Sequence, residues 1–216
     1  MRAEELRRVQ LQHWATENAL CPSAAEPEHW PEAASFDNFG LWPLSYGDHS
    51  TGQSGVYAAV NALRLVSAGH HNWTDRDEQQ LFGTAWDWQL ARGGTRQDRG
   101  MRVGQLLQLA DALTFAFARK HSQRIQTIRP WARVGPSSAE FFNTIERLIV
   151  SRQAVVGLFA GGHYSVIRGY TPSSLLLFDS GNRQWIKRSS VSLNGSAAAA
   201  RHRIVPRAMM AFSRRI

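Results

Sequence analysis

Gly52-Gln53-Ser54-Gly55-Val56-Tyr57-Ala58-Ala59-Val60-Asn61-Ala62-Leu63-Arg64 is the stretch from which the rest of the chain can be read. A polar, glycine-containing turn runs into the apolar positions Val56, Ala59, Val60, Leu63 and Val66. Their i, i+3, i+4, i+7 spacing is that of a helix with one apolar face. The spacing predicts a helix that begins near Ser54 and ends about Gly69, where glycine is a common stop. Ser54 then stands at the helix N-terminus, where unpaired backbone N–H groups and the macrodipole favour negative charge. Such a place suits a nucleophile that must become an anion, or an oxyanion that must be held. It also suits an ordinary N-cap, which is the commoner use of serine there.

Upstream, residues 1–20 read as a short amphipathic helix with Leu6, Val9, Leu11 and Trp14 towards one side. The composition then shifts to Pro, Ala, Glu and Ser, as expected of a linker. This gives an N-terminal extension over 1–34 and a main domain over 35–216, entered through the turn-prone Asn38-Phe39-Gly40-Leu41-Trp42-Pro43.

Downstream, His70-His71 reads as a solvated turn rather than a metal site, because no spaced third ligand is evident nearby. Thr74 is a candidate N-cap with Asp75 and Asp77 in the first turn, opening a helix with Leu81, Phe82, Ala85, Trp86 and Trp88. An arginine-rich connection from Arg92 to Gly100 leads to a helical stripe of Val103, Leu106, Leu107, Ala110 and Leu113. Phe115 to Ala118 and Arg124 to Ile128 read as short strands. Ser137 with Glu140 matches a capping box before Phe141, Ile145, Leu148 and Ile149. From there the pattern turns to β: Ala154 to Phe159, His163 to Gly169 and Leu175 to Asp179, with further strands over 185–193 and 202–212. Helices followed by an antiparallel sheet make an α+β fold.

Composition sets outer bounds. The chain has 216 residues, 43% hydrophobic and 19% charged, enough for one sizeable core. Its single cysteine, Cys21, allows neither an intramolecular disulfide nor a metal site of several cysteines, which fits a reducing, cytoplasmic setting. No signal peptide and no apolar run of membrane length is evident, so no membrane span is expected. The net charge of +8 comes from basic residues spread along the chain, a weak argument for nucleic acid.

His163 begins one expected strand and Asp179 ends the next, with the turn Thr171-Pro172-Ser173 midway between them. An antiparallel hairpin brings both to its open end, where facing Cβ atoms lie about 4.5–5.5 Å apart. A carboxylate there fixes the imidazole tautomer and leaves the other nitrogen to act as a base. Gly161 and Gly162, just before His163, leave room for a substrate backbone. The alternative is a structural His–Asp pair that caps the hairpin.

The order Ser54-Gly55, Gly162-His163, Gly169-Tyr170, Asp179 resembles the papain-like cysteine peptidase superfamily, in particular its bacterial double-glycine-leader peptidases. The resemblance covers about residues 45–182. It implies helices packed on an antiparallel sheet, with position 54 as nucleophile, His163 as general base and then acid, and Asp179 as its orienter. It implies peptide or protein as substrate and no metal or organic cofactor. Two positions depart from the family pattern. Serine replaces the usual cysteine, and Asp48 stands where an oxyanion-stabilising glutamine is expected; the nearest glutamine is Gln53. An aspartate at that position opposes a developing oxyanion.

Three readings of Ser54 stay open: a cysteine replaced by serine to silence an enzyme, a natural serine nucleophile, or a pseudoenzyme that keeps the cleft as a protein-interaction module. Outside this frame, Arg92, Arg96, Arg99 and Arg102 with Trp86 and Trp88 give a nucleic-acid reading by charge and stacking. The tryptophans fit a core stripe better.

Overall fold

The computed structural model describes residues 54–67, 71, 73–92, 101–151, 154–158, 163–178, 185–193 and 202–214. The expected N-terminal extension and the lead-in at 38–43 lie outside these residues. So do Asp48, Gln53, Gly161, Gly162 and Asp179.

In chain order come α1 (Ser54–Ser67), α2 (Asp75–Ala91), α3 (Val103–His121), β1 (Ile125–Ile128) and α4 (Ser138–Val150). The strands β2 (Ala154–Leu158), β3 (Tyr164–Tyr170), β4 (Ser174–Phe178) and β5 (Trp185–Lys187) follow. Short strands β6 (Val191–Ser192) and β7 (His202–Arg203) precede β8 (Met210–Arg214). The main sheet runs β1-β8-β2-β3-β4-β5, with every pair antiparallel, and β6 and β7 form a small parallel pair. The fold is α+β.

Period-2 alternation puts two cores on the two faces of this sheet. Tyr164, Val166, Phe178, Met210 and Phe212 join α1, α2 and α3 in one core. Ile167, Leu175, Leu177 and Ala211 pack with Phe141, Ile145 and Ile149 of α4 in the other. The molecule is thus layered helix, sheet, helix through its described part.

α1 departs from the one-sided helix that its apolar spacing suggests. Every residue from Gly55 to Ser67 is buried, because the sheet covers one side and α2 and α3 cover the other. A helix enclosed all round is mostly small or apolar on its faces, which explains the alanines at positions 58, 59 and 62, with Asn61, Arg64 and Ser67 as its buried polar side chains.

Local chemistry sets the helix starts. Thr74 Oγ1 accepts from Asp77 N–H at 3.2 Å while the Asp77 carboxylate accepts from Thr74 N–H at 3.1 Å. Ser137 and Glu140 form the same reciprocal cap, which holds the Glu140 carboxyl below its usual range. Between β3 and β4, Thr171 Oγ1 accepts from Ser174 N–H at 2.9 Å and fixes the hairpin turn.

One assignment is corrected. Phe115 to Ala118 is not a strand but the continuation of α3. Leu113 and Phe117 are buried and Phe115 is 66% exposed, so burial follows a helical period rather than alternation across a sheet. Residues 125–128 are a strand, as expected.

Candidate functional site

The N-terminus of α1 meets the start of β3. Tyr164 backbone N–H donates to Ser54 Oγ at 3.1 Å, which places Ser54 beside the residue that follows His163. Both Ser54 and His163 are half-buried.

The junction is held by a tight cluster. Tyr164 is 2% exposed and its hydroxyl donates to the Met101 carbonyl at 3.0 Å. Burial pushes the Tyr164 phenol up to about 12, so it remains a neutral donor. Gly55 lets these groups approach: a Cβ there would stand 3.0 Å from Met101 Sδ, 3.1 Å from Met101 Cβ and 3.4 Å from Tyr164 Cδ2. The glycine after Ser54 is therefore a packing requirement at this junction.

Of the residues singled out by sequence, the structure brings Ser54 and the β3 start together. The β3–β4 ladder is described up to Val166 opposite Phe178, the residue before Asp179. Arg64 of α1 is buried, pairs with Glu78 of α2 at 2.5 Å and lies 6.0 Å from the centre of the Phe178 ring. Burial lowers the pKa of Arg64 and Glu78 opposes that shift. Trp88 packs against the core with the Arg92 guanidinium 4.3 Å from its ring centre; Trp86 is half-buried and Arg102 exposed. Arg96 and Arg99 lie outside the described residues.

A second cluster went unread in the sequence. His71 is not a solvated turn residue: its side chain is 16% exposed and faces Asp77 and His121. His71 Nε2 lies 3.5 Å from Asp77 Oδ2, and His121 Nε2 lies 3.8 Å from Asp77 Oδ1. The imidazole centres are 4.0 Å apart. Trp73 and Phe117 wall the pair, their ring centres 5.1 and 5.5 Å from that of His71. Burial, then the neighbouring His71, lowers the His121 pKa, against the opposing pull of Asp77. Burial disfavours ionised Asp77, but hydrogen bonds from Lys120 and Thr74 together outweigh it and hold the carboxyl below the usual range. His121 was not a candidate from sequence, because only the fold brings the end of α3 to the start of α2.

Among the described residues, no helix is long and apolar enough to cross a membrane. The chain was compared with protein-family models, with curated proteins and with solved structures, and none of the three comparisons finds a match.

Proposed function

We propose that this chain is a papain-like domain with amide-hydrolase chemistry of the thiol-peptidase type, acting on a peptide or protein segment. Position 54 is the nucleophile, His163 the general base and then acid, and Asp179 its orienter. The observation that carries the reading is the hydrogen bond from Tyr164 N–H to Ser54 Oγ, which joins the helix start to the strand that follows His163.

In the reaction, His163 takes the proton from the position-54 side chain as its heteroatom attacks the scissile carbonyl carbon. The C–N bond breaks as the same imidazole returns the proton to the leaving amine. His163 then takes a proton from water as that water attacks the acyl ester or thioester, and returns it to the position-54 heteroatom as the acyl bond breaks and the acid is released. The α1 N-terminus and the Tyr164 N–H favour negative charge at the nucleophile. A thiol gains most from this arrangement, since its anion forms near neutral pH, whereas serine must lose its proton during the attack.

A second reading follows from Ser54 together with Asp48: a pseudoenzyme that uses the same cleft to bind a protein partner. Intact-mass labelling of Ser54→Cys by a peptide-like electrophile separates the two. Rapid modification at position 54 that is lost in the Ser54→Cys, His163→Ala double variant supports the enzyme machinery. A rate equal to that of an ordinary exposed thiol contradicts it and leaves the binding module.

A further inference from the structure

From His71, Asp77 and His121 we infer a binding site for one divalent transition-metal ion of the zinc class, separate from the proposed cleft. The three side chains each offer one ligand atom, and these atoms lie within 4.8 Å of one another. Zinc bonds of about 2.0–2.1 Å in a tetrahedron place donor atoms roughly 3.3 Å apart, so small side-chain movements close the set. Two imidazoles with one carboxylate select a borderline ion such as Zn²⁺ over Mg²⁺ or Ca²⁺, which take oxygen ligands.

The surroundings match that use. Asp77 Oδ2 is fixed by Thr74 N–H and by the Thr74 hydroxyl at 2.6 Å, which orients the carboxylate and presents Oδ1 on the His121 side. Trp73 and Phe117 form an apolar wall against the imidazoles. His71 Nε2 is buried with no hydrogen-bond partner, although Asp77 stands nearby. Beside two of the three ligands lies a pocket of about 420 Å³ lined by Asp77, Gln80, Phe115, Lys120 and His121, with room for an exogenous fourth ligand on that side.

Lys120 is the competitor. Its ammonium donates to Asp77 Oδ1 at 2.7 Å and also to Gln80 Oε1 at 2.6 Å. An incoming ion displaces it from Asp77 and Gln80 retains it. The ligands come from the segment before α2, the first turn of α2 and the end of α3, so the ion would clamp three pieces of chain.

The test is calorimetric titration of the full chain with Zn²⁺, paired with its thermal unfolding midpoint. Saturable binding of one equivalent with a raised midpoint is expected, weakened at least tenfold by His71→Ala and by His121→Ala. Lys120→Met, at an exposed position, is expected to tighten binding several-fold by removing the competing cation. A salt bridge with only a structural role, or zinc held by histidines elsewhere, does not produce that gain. Absence of binding at millimolar Zn²⁺, affinity indifferent to both histidine substitutions, or binding not tightened by Lys120→Met would overturn the assignment.

Discussion

Gly55 joins the proposed nucleophile position to the rest of the molecule through the space it leaves free. Met101 and Tyr164 come so close that an added methyl group must push on one of them. The Sδ end of Met101 can swing aside, but its Cβ is fixed to the backbone. Gly55→Ala is therefore expected to cost about 1–3 kcal/mol by overpacking, offset by up to about 1 kcal/mol of helix propensity. Chemical denaturation should show a net loss, and labelling of Ser54→Cys should slow as β3 shifts from the helix. An unchanged midpoint and rate would show that the junction has slack. Tyr164 contributes both its backbone N–H and its phenol here, so this one residue sets the distance between the start of α1 and the start of β3, next to His163, the proposed base.

Helix starts show how far local chemistry specifies this fold. Thr74→Ala removes both the cap to Asp77 N–H and the hydroxyl bond to the Asp77 carboxylate, and should cost about 1 kcal/mol. Thr74→Ser should retain most of that, as a urea midpoint would show. The cap at Thr74, the box at Ser137 and Glu140 and the stripe of α3 were legible in the sequence because each depends on residues within a turn or two of one another. The β3–β4 hairpin was legible for the same reason, its turn being fixed by Thr171. Phe115 to Ala118 was misread because alternating aromatic and small residues imitate a strand when the helical neighbours at Leu113 and Phe117 are ignored. The enclosure of α1 was not legible, since the apolar stripe gives its period but not what covers its other faces. For the candidate site, the described residues place Ser54 Oγ against the backbone N–H of Tyr164, the residue after His163. The roles of Asp48, Gln53, Gly161, Gly162 and Asp179 rest on the sequence alone. The cluster at His71 was lost because its third member is distant in the chain.

At the scale of the molecule, the sheet separates the cores, and α1 with its flanking helices lies on the face opposite α4. The two proposed sites sit at different ends of the helical layer's chemistry, one at the start of α1 and one where α2 begins and α3 ends. Acid should act through the second. His121 has a lowered pKa in the folded chain, so the unfolded chain takes up that proton first as pH falls. Its contribution is complete above the ordinary histidine value of about 6.5 and declines below it towards the folded value. Asp77 has the same sign at lower pH: its contribution is present above about 3.9 and is lost as pH falls through its depressed folded value. In buffer with a chelator, the thermal midpoint should fall less between about pH 7 and 5 for His121→Gln than for the unchanged chain. Equal slopes would show that the burial of His121 does not matter to stability. The most direct test of the amide-hydrolase reading is the pH dependence of iodoacetamide alkylation at position 54 in the Ser54→Cys, Cys21→Ser chain. A thiol titrating well below the ordinary value of about 8.5 is expected, moving back up when His163→Ala is added. A thiol that titrates at or above the ordinary value, and does not respond to His163, would contradict that reading.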